Sequence, residues 1–131
     1  MPIRVLDTSC VIAWWHRHRA VCREPSDLKQ LAADLLELHA ASGVIWPVRL
    51  EFLVGVRSSD ELSRARVYLE AFPLLDADRG MTTKHWEEAQ RSASRVPTDG
   101  KPRDAMDCVI RAIANAANMD VESADHRFPA R

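Results

Sequence analysis

Apolar and polar positions recur along this chain with two different periods, and the changes of period mark its elements. Residues 3–6, IRVL, form a short apolar run that stops at DTS and reads as a strand. Thr8 or Ser9 is placed to cap a helix that opens CVIAWW. Residues 16–26, HRHRAVCREPS, are polar and strongly basic and close in a Pro-Ser loop. From 27 to 41, DLKQLAADLLELHAA sets Leu28, Leu31, Leu35 and Leu38 three and four apart, and Gly43 follows as a stop. That spacing predicts an amphipathic helix, because residues three and four apart share one face.

The second half repeats the alternation. VIW at 44–46 reads as a buried parallel strand, and Pro47 sits where a helix continuing VRLEFLVGVR begins. Residues 59–72, SDELSRARVYLEAF, have a serine cap, first-turn acids, and apolar spacing at Leu62, Ala65 and Leu69. PLLDAD at 73–78 reads as a third strand, 81–96 as a helix, and PTDGKP at 97–102 as a loop. A long helix follows over 103–119, with Ala105, Val109, Ala112, Ile113 and Ala116 as its expected core face, and a last strand falls near Val121. Strands alternating with helices predict an α/β sandwich around a mostly parallel sheet.

Composition narrows the function. The chain has 131 residues, 47% of them hydrophobic and 28% charged, so a single domain over 1–131 with its own core is expected. A net charge of −1 gives no bulk attraction for a polyanion, so contact with nucleic acid requires a local basic patch or metal ions. Cys10, Cys22 and Cys108 form no C-x-x-C pair and read as reduced packing thiols of a cytoplasmic protein. No apolar run approaches a membrane span, and MPIRVLDTS lacks a secretory apolar region. The phosphate-cradling glycine motifs and the serine nucleophile elbow are absent. A phosphate-accepting receiver domain needs an aspartate after a middle strand, where this chain has Glu51 inside an apolar helix.

Glu51 is the first of several acids whose placement asks for chemistry. It interrupts WPVRLEFLVGVR, and its same-face neighbours Pro47, Val48, Val54 and Gly55 offer no counter-charge. Gly55 leaves room beside it for another backbone or a ligand. Asp7 follows the first strand directly, at the carboxyl edge where α/β sheets bind ligands. Asp107 lies at the margin of the late helix's core face, with Arg111 one turn on as an alternative, exposed partner. Asp104 suits the helix dipole, and Asp125 follows the last strand. Gathered, Asp7, Glu51, Asp107 and Asp125 would suit a hard divalent cation, which takes carboxylate oxygens and offsets their repulsion.

VLDTSCVIAWW, EFLVGV, DCVIRAIA and SADHRF, in that order and spacing, resemble PIN domains, and more narrowly the VapC-type toxins of bacterial toxin–antitoxin systems. The resemblance spans nearly the whole chain. It implies a three-layer sandwich with a short, mostly parallel sheet flanked by helices. It makes Asp7, Glu51, Asp107 and Asp125 the acidic quartet binding Mg²⁺ or Mn²⁺, with Ser9 helping to organise the site; Asp104, one turn before Asp107, is a supporting candidate by its place in the chain. It implies metal-dependent endoribonuclease action on tRNA, rRNA or mRNA, a VapB-like antitoxin as partner, and a homodimer. Two positions depart from the family's final T-x-D-x-D-F element: Ser123 stands for the threonine and Arg127 for the second aspartate. Arg127 then either weakens metal binding or contacts phosphate.

Beside Asp7, WWHRHR offers aromatic and basic side chains. One tryptophan reads as core, and Arg17 and Arg19 read either as a solvated basic face or as RNA contacts. His16 and His18 lack companions at zinc spacing. GKPR at 100–103 is a small basic loop whose ordinary reading is solvated surface. The rival readings are a non-catalytic protein- or RNA-binding module of the same fold and a housekeeping nuclease without an antitoxin.

Overall fold

The computed structural model describes residues 3–95 and 100–131, so the end of the helix expected at 81–96 and the first half of the loop expected at 97–102 lie outside the described residues. Strand β1 (Ile3–Leu6) leads into α1 (Thr8–His18) and a 3-10 turn, then α2 (Pro25–His39), α3 (Trp46–Val54) and α4 (Ser59–Glu70). Helices α5 (Thr83–Ala93) and α6 (Ala105–Ala116) precede β2 (Met119–Glu122). β1 and β2 pair in parallel, Ile3 against Met119 through Leu6 against Glu122. Six helices around a short parallel sheet, among the described residues, make this an α/β sandwich, as the alternation predicts.

The two inner strands expected at 44–46 and 73–78 contract to single bridges, Val5 to Gly43 and Val44 to Leu74. The backbone still follows the parallel path: Leu6 N donates to Gly43 O at 3.0 Å, Val44 N to Pro73 O at 2.9 Å, and Leu75 N to Val44 O at 2.8 Å. Trp46 is already helical, because Pro47 fixes a helical φ in the first turn and cuts the extended run short. A Cβ on Gly43 would lie 2.2 Å from Pro73 O, so only glycine lets these two segments approach.

Helix starts and faces differ from the sequence reading in instructive ways. Asp7, not Thr8 or Ser9, is the N-cap residue of α1, and it makes no capping bond with its side chain. Pro25 belongs to α2, whose start is a reciprocal box between Glu24 and Asp27. Leu28, Leu31 and Leu35 are buried, whereas Leu38 at the far end of the stripe is 62% exposed. Gly55 is the exposed C-cap of α3, and a Cβ there would meet only Phe52 O, at 3.5 Å, so no close approach of another backbone requires glycine.

The core gathers on an aromatic cluster. Trp15 and Tyr68 ring centroids are 5.0 Å apart, as are those of Tyr68 and Phe72, and the Tyr68 hydroxyl donates to Val11 O at 2.8 Å. This cluster fixes α1 against α4 and, through Phe52, against α3. A smaller apolar contact of Ala89, Cys108 and Ala112 joins α5 to α6. No helix among the described residues is long and apolar enough to cross a membrane.

Candidate metal centre

Both paired strands run the same way, so their carboxyl ends meet at one edge, where Asp7 N donates to Glu122 O at 2.8 Å. Asp7 is therefore held between the end of β1 and the start of α1, and only 1% of its surface is exposed. Glu51 reaches the same place from the middle of α3, and Asp107 from the first turn of α6. One oxygen from each of the three lies within 4.8 Å of the others.

The surrounding hydrogen bonds leave this cluster half satisfied. Asp7 Oδ2 accepts from Ser9 Oγ at 2.9 Å and from Ser123 Oγ at 2.8 Å. Ser9 Oγ in turn accepts from Ala124 N at 3.0 Å. Asp7 Oδ1, Glu51 Oε1 and the Thr8 hydroxyl are buried without a hydrogen bond of good geometry. Buried polar atoms are almost always partnered, so unpartnered oxygens within a cluster of three acids suit a bound cation.

Electrostatics agree. Burial first, then the charges of Asp7, Asp104, Glu51 and Asp125, push the Asp107 carboxyl up to about 7. Burial also raises Glu51, with Asp104 and Asp7 adding to it, while the nearby Thr8 hydroxyl pulls the other way. All the donors are hard oxygens, so the residues present fit magnesium or manganese rather than a thiolate-seeking ion. Cys10 lies close by, but burial and the Asp7 charge drive its thiol up to about 11, leaving it inert.

Other residues singled out from the sequence fall outside this trio. The Asp125 carboxylate accepts from Arg127 N at 2.9 Å within its own turn and acts on Asp107 only through its field. Asp104 is exposed and caps α6, accepting from Met106 N at 2.9 Å and Asp107 N at 3.1 Å. The Arg127 guanidinium donates to Pro102 O at 3.0 Å. Arg19 forms an ion pair with Glu61, whereas Arg17 is exposed on α1.

Arg111 is not the exposed partner of Asp107. It is buried, and its Nε donates to Pro129 O at 2.8 Å. Ser123 stands in the motif as a departure and Thr8 only as a candidate helix cap, so neither was expected beside the acids. The one signal for Ser123 was its place in SADHRF, just past a strand parallel to the one that ends at Asp7.

The PIN domain family model matches residues 4–131. No curated protein and no solved structure matches the chain. With a match that spans nearly the whole sequence, over a site of clustered acids, the chain belongs to the PIN-domain family, whose members are generally metal-dependent nucleases.

Proposed function

We propose that the protein is a divalent-metal-dependent endoribonuclease and the toxin of a type II toxin–antitoxin pair. The observation that carries the catalytic part is the convergence of Asp7, Glu51 and Asp107 around orphaned buried oxygens. These three hold the ion, Mg²⁺ or Mn²⁺, and Asp125 stands at the margin as the fourth acid of the family pattern. When bound, a divalent ion supplies charge stabilisation for phosphodiester hydrolysis and lowers the pKa of water.

The chain's own residues set the conditions for that chemistry. Ser9 and Ser123 fix one oxygen of Asp7, and its other oxygen is buried and without a hydrogen-bond partner. Asp107, with its carboxyl at about 7, must lose a proton before it ligates. Arg17, exposed on α1, is the basic side chain available to an RNA phosphate, while Arg19 is committed to Glu61.

Asp7→Asn and Asp107→Asn are expected to abolish Mg²⁺- or Mn²⁺-dependent cleavage of a broad RNA panel while circular dichroism stays native, and EDTA is expected to do the same to the wild type. RNA left intact by wild type with either metal would favour the non-catalytic binding module. A small open reading frame immediately upstream, whose product co-purifies with this chain and blocks cleavage, separates a toxin from a housekeeping nuclease.

A homodimer is part of the same reading. Trp46, Leu50 and Val54 form an outward stripe on α3 at 50%, 57% and 77% exposure. Trp86, 57% exposed, faces a groove of about 520 Å³ that Trp46 and Leu50 also line. Solvent-exposed apolar surface on this scale suits a protein contact. Light scattering of Leu50→Glu should report a monomer where the wild type gives a dimer.

A further inference from the structure

Arg111 follows Asp107 by one turn on the same face of α6 and is buried. Its guanidinium lies 5.1 Å from the centre of the Phe128 ring and bonds to Pro129 O, and no carboxylate among the described residues forms an ion pair with it. Asp120 and Asp7 act on it only through their fields, and a buried charge with no carboxylate in direct contact is costly, where an apolar side chain of similar volume would often serve stability as well or better. What Arg111 grips is the end of a segment that reaches the carboxylates. Phe128 N donates to Asp125 O at 3.0 Å, Asp125 N donates to Ser123 Oγ at 3.0 Å, and Ser123 Oγ donates to Asp7 Oδ2. Ala124 N fastens the same turn to Ser9.

We propose that Arg111 is a positioning residue for the acidic cluster: by tying Phe128 and Pro129 to α6, it holds the 123–125 turn where Ser123 orients Asp7. This rests on the reading of the cluster as a divalent-ion site. The role suits arginine specifically. A planar guanidinium donates from its edge to a carbonyl while lying against an aromatic ring, and a lysine ammonium does not combine the two in the same way.

The test titrates Mn²⁺ alone into metal-free wild type, Arg111→Met, Arg111→Lys, Ser123→Ala and the Arg111→Met/Ser123→Ala double variant. Calorimetry is run at pH 8 and well below each melting temperature, with amide exchange followed over 123–128. Arg111→Met is expected to bind Mn²⁺ about tenfold or more weaker, and to exchange faster over that segment, with Arg111→Lys intermediate. The double variant should be no weaker than Ser123→Ala, since both changes act through one contact. A folded Arg111→Met within twofold of wild-type affinity, or an effect that adds fully to that of Ser123→Ala, overturns the proposal. Should Arg111→Met fail to fold, Arg111→Lys and Phe128→Leu carry the same comparison. If the wild type itself takes up no Mn²⁺, the metal reading fails, and exchange over 123–128 still decides the clamp: faster in the Arg111 variants sustains it, unchanged overturns it.

Discussion

The two oxygens of Asp7 have different fates: one takes two hydroxyl donors, and the other takes none. Glu51 repeats the second case, so charge rather than shape is what the site leaves open. Glu51→Gln should therefore raise the melting temperature of the metal-free protein at pH 8, since it removes a repelling charge, and weaken Mn²⁺ binding. A melt that falls in EDTA would contradict this. Asp107 adds a pH dependence whose sign follows from its carboxyl lying at about 7, above the ordinary range. Between those two pKa values the folded protein holds the extra proton, so metal-free stability is present at low pH and lost as pH rises through about 7. The loss is on the order of 1–3 kcal/mol. Thermal melts in EDTA should be higher at pH 5.5 than at pH 8, and Asp107→Asn should remove most of that difference. Mn²⁺ affinity should run the other way, rising with pH as the carboxylate forms. Asp7, Glu51 and Asp107 were legible in the sequence because each interrupts or ends an apolar run. The Ser123 bond was not legible, since a loop serine carries no periodic signal.

At the scale of elements, the helices were readable and their exact faces less so. The α6 core was expected on Ala105, Val109, Ala112, Ile113 and Ala116; Ala112 and Ile113 are buried as expected, but Ala105 and Ala116 are exposed, and Ile110, Arg111 and Ala114 are buried as well. Periodicity assumes one wet face. α6 has α5 along one side and the C-terminal segment on another, so it is buried through much of its girth. The inner strands failed for a related reason: an apolar run of three cannot say whether it extends or begins a helix. Two substitutions test these elements. Asp104→Ala removes the α6 cap at a cost of about 1 kcal/mol, whereas Asp104→Asn keeps the cap. Both take away a charge that pushes Asp107 up, so a carboxyl-carbon NMR titration should show Asp107 moving down in each, with the melt lowered chiefly in the alanine variant. Gly43→Ala drives a methyl into the Pro73 carbonyl and should cost on the order of 3 kcal/mol, read by urea melts.

Across the whole molecule, the site belongs to no single element. Asp7 comes from the end of β1, Glu51 from α3 and Asp107 from α6, and the Ser123 turn arrives from the far end of the chain. None of these segments gathers the acids alone; the cluster exists once the sandwich has closed. The mutual repulsion of its acids is therefore met late in folding, after most of the surface is already buried. An ion that binds only the finished arrangement leaves the folding rate nearly untouched and slows unfolding instead. For a chain whose acids hold such an ion as proposed, the supply of divalent cation would set how long each folded copy survives rather than how quickly it forms.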